Sequence, residues 1–298
     1  MCSARFAEKS WNQVKATCAT NAICFTHGSM GLSEMSRKSL TNMGCKRMLT
    51  VKRIVTKAAK EFVRQHHYAV ISPPINKLAL GLYKGTRMVG VAMWGYGVRP
   101  KHTIKLLFPS LGVSDYLELN RLCLLDEMPR NSESQFIKEN ERLIRQEFPH
   151  VKVLFSWADG LRGKPGYVYQ ASNFLYGGKI LSEFYATKSG EVVHPRLLIT
   201  RFGRRDKKFA FSLGLRKIKG YQFRYCKFLC SHKERKRLLR ESSFDWNQDY
   251  PKYHDLLWKI IAEEGSRESQ QVPILKGPGQ FRHSAFRQNL GGVLHAAG

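Results

Sequence analysis

The run VKVLFSWAD, from Val151 to Asp159, constrains the fold more than any other stretch of this chain. Only Lys152 and Ser156 interrupt its apolar character before the final aspartate, and a nearly unbroken apolar strand is one buried on both faces. Such a strand needs helices on either side of its sheet, which points to an α/β architecture. Its neighbours can supply them. NSESQFIKENERLIRQEF, just before it, sets Phe136, Ile137, Leu143, Ile144 and Phe148 on one side of a helix. YVYQASNFLY, just after it, reads as a second and shorter helix leading into Gly177-Gly178.

The same alternation extends upstream. IVTKAAKEFVRQ carries Ile54, Ala58 and Phe62, with Val55, Ala59 and Val63 beside them, at helical spacing. LALGLY, a Lys84-Gly85 turn and RMVGVAMWG read as a β-hairpin. YLELNRLCLL, Tyr116 to Leu125, is a strand whose apolar residues alternate for part of its length. Further strands are expected near Ile180–Tyr185 and Leu197–Phe202. Residues 1–46 lack sustained periodicity and read as an N-terminal extension, with Met43 and Met48 as alternative starts. Residues 262–298 are rich in Gly, Ser and Gln and are expected to be a loose tail, which leaves 47–261 as the folded domain.

Charge narrows the partner. The chain carries 50 Lys and Arg against 23 Asp and Glu, a formal charge of +27. A surplus of that size repels itself unless a polyanion neutralises it, and nucleic acid is the first candidate. From Arg201 to Arg240 there are 15 Lys and Arg and two acids, so +13 of the surplus falls in this basic segment. Arg201, Arg204, Arg205, Lys207 and Lys208 open it, and Phe202, Phe209, Phe211, Tyr221, Phe223, Tyr225 and Phe228 are interleaved with its cations. Cations among stackable rings suit double-stranded DNA, although the rings alone read first as ordinary core. Seven cysteines show no secreted-framework spacing, and no segment has the roughly 18 unbroken apolar residues of a membrane span. MCSARFAEKSWNQV lacks the build of a signal peptide. The expectation is a soluble protein of a reducing cytoplasm, with no membrane partner.

Strand, strand, strand, helix, strand, helix, strand is the order of an α/β acyltransferase fold, and the chain resembles the GNAT superfamily in it: a mixed central sheet flanked by helices. In that fold the cofactor loop joins the fourth strand to the next helix, here DEMPRNSES. Ser132 and Gln135 have the spacing of a capping box, and Arg130 and Asn131 stand beside it. The fold analogy implies acyl-CoA, such as acetyl-CoA, held by Arg130, Asn131 and Ser132, although the chain lacks the Gly-rich loop of an ordinary GNAT enzyme.

A closer resemblance rests on HHY at His66–Tyr68, LELNRLCLLDEMPRNSESQFI, LFSWADGLRGKPGYVYQASNFLYGG and YQFRYCKFL, in that order. Together they look like the Mom family of bacteriophage DNA-modifying proteins, over roughly residues 50 to 240. The resemblance implies addition of a carbamoylmethyl group to the N6 amine of adenine in phage DNA, shielding it from host restriction. It also implies active-site roles for His67, Tyr68, Asp159 and Tyr169. The residues suit such chemistry. An adenine amine is a weak nucleophile needing an oriented base, and a duplex must release the base into a pocket to expose it. Asp159 ends a buried strand, where α/β sheets form their ligand crevice, and Tyr169 follows on the next helix. If His66 and His67 are both extended they point to opposite faces, so one of them enters the site.

Each of these residues also has a plain structural reading: a packed histidine, a helix-capping aspartate, a core tyrosine. His67, Asp159 and Tyr169 are donor types that also suit iron. Cys226, Cys230 and His232 invite zinc but lack an evident fourth ligand, and read instead as buried strand cysteines. Two other functions fit part of the pattern. An N-acetyltransferase acting on a protein or small amine fits the fold but leaves the basic segment unused. A non-catalytic basic DNA-binding protein explains the charge but gives Asp159 and Tyr169 no task.

Overall fold

The computed structural model describes residues 49–68, 74–193, 198–199 and 202–273. Its ten strands form one mixed sheet, with helices on both faces. β1 (Leu49–Arg53), β2 (Ile75–Lys84), β3 (Arg87–Gly97) and β4 (Tyr116–Leu124) lie side by side and antiparallel. The β2–β3 hairpin turns at Gly85, whose φ of +64° is open to a residue without Cβ. β5 (Val153–Asp159) runs parallel to β4, because the connection between them is the long helix α3 (Ser132–Glu147). Beyond β5 the order continues through β8 (Arg216–Phe228), β6 (Leu175–Ala186) and β7 (Val192–Val193), all antiparallel. β9 (Trp258–Ala262) joins the far end of β8, and β10 (Gly265–Ser269) pairs with β9.

Alternation along the strands assigns the two layers. On β2, Ala79 meets Ala59, Phe62 and Val63 of α1 (Thr56–His66), while Leu78, Leu80 and Leu82 face the opposite layer with Phe136, Ile137 and Ile144 of α3. β5 follows the same rule. Val153 and Phe155 pack with Ile104 and Leu107 of α2 (Pro100–Leu107) and with Leu238 of α6 (His232–Glu241). Leu154 and Ala158 face the α3 layer. The apolar run of β5 therefore has the cause inferred from the sequence: both of its faces are covered.

One polar interaction lies inside this packing. Trp94 Nε1 donates to Asn140 Oδ1 at 2.8 Å, and Asn140 Nδ2 donates to the Phe136 carbonyl, with Trp94 and Asn140 both fully buried. It fixes α3 against β3 at one rotational setting, since a slipped helix would leave the indole N–H unpaired.

Four expectations need correction. The strand foreseen at 197–202 is not one: Leu198, Ile199 and Phe202 are helical, with Gly203 N–H donating to the Ile199 carbonyl at 2.9 Å. The apolar spacing there suits either state in so short a run. Ser132 forms no capping box. Asn131 occupies the N-cap in left-handed conformation without a side-chain cap, and Ser132 Oγ is buried, donating to the Pro129 carbonyl at 2.6 Å. The tail boundary at 262 cuts the β9–β10 hairpin, whose pairing is made by backbone groups that polar composition does not forbid. Of the two strand cysteines, Cys226 is buried in β8, but Cys230 lies past its end. β1 and α2 were not foreseen from the sequence. Residues 1–46 and the tail after 273 lie outside the described residues.

Asn140→Ala removes the acceptor for a fully buried indole donor. We expect it to cost about 1–3 kcal/mol of stability, read as a lower midpoint in urea at unchanged slope.

Candidate active site

β4 and β5 hold together as a parallel pair only over Tyr116–Glu118 and Val153–Phe155. Beyond that point they part. Ser156 stands in the gap: its Oγ lies 3.2 Å from the Leu119 carbonyl and 2.8 Å from the Tyr169 hydroxyl. Its single proton serves one of the two at a time, so the Tyr169 phenol can supply its own. Tyr169, on α4 (Tyr167–Ala171), is held from behind by Tyr225 and Phe174, with ring centroids 5.2 and 5.6 Å away. Burial raises its phenol above the ordinary tyrosine value, against the opposing hydrogen bond from Ser156, which keeps it protonated.

The opposite face of the gap is shaped by a β-bulge. β4 pairs Leu119 with Trp94 and Arg121 with Met93, so Asn120 is the extra residue. In a regular strand residues three apart point to opposite faces; the bulge turns Glu118 and Arg121 to the same one. This is the α1 face. There α1 ends at His66, and His67 leaves in extended conformation with its N–H still donating to the Val63 carbonyl at 2.9 Å. His66 stays outside, its ring 4.6 Å from Phe62. His67 stacks on Tyr68 at 4.2 Å.

Tyr68 is the meeting point. Lys164 Nζ lies 4.5 Å and the Arg162 guanidinium carbon 5.4 Å from its ring centroid. Burial, followed by the negative charge of Asp159, drives its phenol far above the ordinary value, with Arg121 and Arg162 opposing. Asp159 ends β5 at the N-cap position of the turn Gly160–Arg162, and its Oδ1 is buried without a partner. Burial raises its pKa, opposed by Arg162, by Lys164 and by the backbone N–H groups of Leu161 and Arg162. Tyr68, Asp159 and Tyr169, far apart in sequence, thus share one electrostatic neighbourhood, which His67 adjoins through Tyr68.

Residues not foreseen complete it. Arg121 interacts electrostatically with Tyr68, Tyr169, Asp159 and Glu118 at once. Glu118 is pushed up to about 7 by burial, against the opposing pull of Arg121. The only trace of them in the sequence is a pair of charges inside YLELNRLCLL, and the bulge that unites them leaves no local mark.

Iron does not fit this set. Arg121, Arg162 and Lys164 place three positive charges around it, which opposes binding of a metal cation. Among the described residues no group of three His, Cys, Asp or Glu is arranged to hold a metal. An acyl-CoA diphosphate fits better at the start of α3. The helix has no side-chain cap and Arg130 and Asn131 are exposed, whereas Ser132 donates both its hydroxyl and its backbone N–H to the Pro129 carbonyl, at 2.6 and 3.2 Å, and is committed there. In the basic segment Arg204, Arg205, Lys207 and Lys208 are all exposed at the head of α5 (Lys207–Ser212), with Arg204 paired to Asp206 at 3.1 Å. Arg201 lies outside the described residues. Phe223 and Tyr225 are core, as the plain reading of the rings has it.

The Mom protein family matches residues 48–252. The chain belongs to that family. It is 35% identical over 207 residues to the protein named Methylcarbamoylase mom of Escherichia phage Mu, covering 68% of this chain and 84% of that protein. Solved structures of an acetyltransferase of the GNAT family from Desulfovibrio desulfuricans and of the IAA acetyltransferase from Bacillus cereus also align. Each is 12% identical and covers 61% of this chain and 99% of its own, with TM-scores of 0.35 and 0.34. Scores that low carry nothing about chemistry. This Mom-family chain has no described helix long and apolar enough to cross a membrane.

Glu118 makes stability depend on pH in a direction opposite to most carboxylates. Its pKa of about 7 in the fold, against an ordinary 4.5, means that the folded state binds more protons between those values. Stability therefore falls as pH rises from 4.5 to 7. Glu118→Gln should remove this component and make the protein more stable than the wild type at pH 8, by about 1–3 kcal/mol, in denaturant titrations at pH 5 and pH 8.

Proposed function

We propose that this protein is a phage DNA-modifying transferase that converts adenine to N6-carbamoylmethyladenine in double-stranded DNA, protecting it from host restriction. The observation that carries this reading is the convergence of Tyr68, Asp159 and Tyr169 beside the parting of β4 and β5, in a chain of the Mom family. The name of the phage Mu relative supports the group transferred.

The chemistry follows from the residues. The exposed cations Arg204, Arg205, Lys207 and Lys208, with Arg201 before them in sequence, grip the phosphates, and the adenine swings out of the stack to reach the site. Tyr68, its ring flanked by His67, Lys164 and Arg162, forms part of the wall against which that base would rest. The orphan Oδ1 of Asp159 accepts a hydrogen bond from the N6 amine, drawing electron density toward nitrogen. Tyr169, protonated and backed by Ser156, donates to the group that gains negative charge. An acyl-CoA cofactor would rest its diphosphate at the exposed Arg130 and Asn131 and supply an activated carbon. The site is one of a phage protein working in the host cytoplasm.

Expressing the chain in bacteria with a plasmid and digesting that plasmid to nucleosides tests the reading. The expected result is a mass shift on deoxyadenosine; unmodified DNA with acetylated protein would favour an ordinary acetyltransferase instead. Asp159→Asn should leave DNA affinity within about twofold and abolish the shift, because one bond-accepting oxygen is lost while the basic surface is untouched. Arg204→Glu with Arg205→Glu should instead weaken binding to all sequences. Its salt slope should fall by about one unit for each phosphate no longer neutralised, in titrations from 50 to 200 mM salt.

A further inference from the structure

We propose that Glu118 is the carboxylate that takes the proton from the substrate amine, which leaves Asp159 to hold that amine in position. The assignment rests on the adenine-modifying reading and names a residue of the same site.

Its geometry is built rather than incidental. The Asn120 bulge turns Glu118 to the face shared with Arg121. The strand opposite contributes Gly97, at φ +67°, and the carboxyl lies where a side chain on Gly97 would begin. A Cβ there would stand 2.2 Å from Oε2 and 2.9 Å from Oε1. Any residue but glycine at 97 would evict the carboxyl. Glu118 also marks the last ladder pair before β4 and β5 separate, opposite Phe155, so it stands at the threshold of the gap that Ser156 and Tyr169 occupy.

Two carboxyls share the neighbourhood, and their surroundings divide the work. Asp159 is drawn toward its anionic form by Arg162, Lys164 and two backbone N–H groups. The charged and titratable groups facing Glu118 are Tyr116 and Arg121 from β4 and Tyr169 from α4, and only Arg121 is a cation. No described residue donates it a hydrogen bond, and neither of its oxygens is among the sealed, unpartnered ones. It is therefore the less committed of the two. Burial holds it at about 7, where a group gives and takes protons at neutral pH.

The step balances as follows. The amine lone pair forms the new N–C bond to an electrophilic carbamoylmethyl donor, and the bond from that carbon to the donor's leaving group breaks, its electron pair departing with that group. The amine proton moves to the Glu118 carboxylate as the bond forms, and Glu118 then returns it to water.

The test compares the wild type with Glu118→Gln and Glu118→Asp in the plasmid nucleoside assay. Duplex DNA affinity and thermal midpoint are measured on each purified chain. Glu118→Gln should lose modified deoxyadenosine by about 10²–10⁴-fold, with DNA affinity unchanged and its midpoint at pH 8 no lower than wild type. Glu118→Asp should recover at least about tenfold over Gln, because it restores a carboxylate; a purely structural role would be restored better by the isosteric Gln. Wild-type yield from Glu118→Gln, or Gln exceeding Asp, overturns the assignment and leaves the adenine reading standing. Unmodified deoxyadenosine from the wild type overturns the adenine reading, and this assignment with it.

Discussion

β4 and β5 share three parallel residue pairs and then diverge, and the site depends on that divergence. A parallel ladder that continued would close the sheet and leave no room for a phenol from the α3 layer to approach a carboxyl from the α1 layer. Parting the strands strips backbone groups of their ladder partners, and buried backbone groups without partners are costly. Ser156 offsets part of that cost. Its side chain reaches the Leu119 carbonyl, which lies just beyond the last pair. Ser156, the second polar residue to interrupt the apolar run in VKVLFSWAD, is thus the one that lets the run end in a cleft.

Charge is distributed to match. A protein at +27 attracts polyanions over its whole surface, but attraction alone neither orients nor reacts. At the cleft the cations Arg121, Arg162 and Lys164 are set against Asp159 and Glu118, with two protonated phenols between them. Burial raises the two carboxyls and the two phenols and lowers Arg121 and Arg162, so these groups are drawn toward their neutral forms. The result is a site that can exchange protons without carrying a large net charge into contact with a nucleobase.

Much of the fold was legible because its causes are local. The helical spacing of α1 and α3, the Gly85 turn and the doubly buried β5 each follow from periodicity within a dozen residues. The strand expected at 197–202 failed for the complementary reason: a short apolar run fits a helical turn equally well, and tertiary context decides. Of the site, the sequence pointed to His67, Tyr68, Asp159 and Tyr169 through resemblance to a family, and the fold sets Tyr68, Asp159 and Tyr169 within electrostatic reach of one another. Glu118 and Arg121 were illegible. Their spacing in a regular strand would separate them, and only Asn120's displacement, set by pairing with β3, brings them together.

The turn after Asp159 is held by chain that comes much later. Trp258 Nε1 donates to the Leu161 carbonyl at 3.1 Å, and a Cβ on Gly163 would meet Val272 at 2.8 Å and Tyr253 at 3.5 Å. All three of these supports lie past residue 252, where the family match stops. The loop bearing Arg162 and Lys164 is therefore buttressed from outside the shared core. Shortening the protein to that core would preserve every reacting group yet unfasten the scaffold that aims two of its cations.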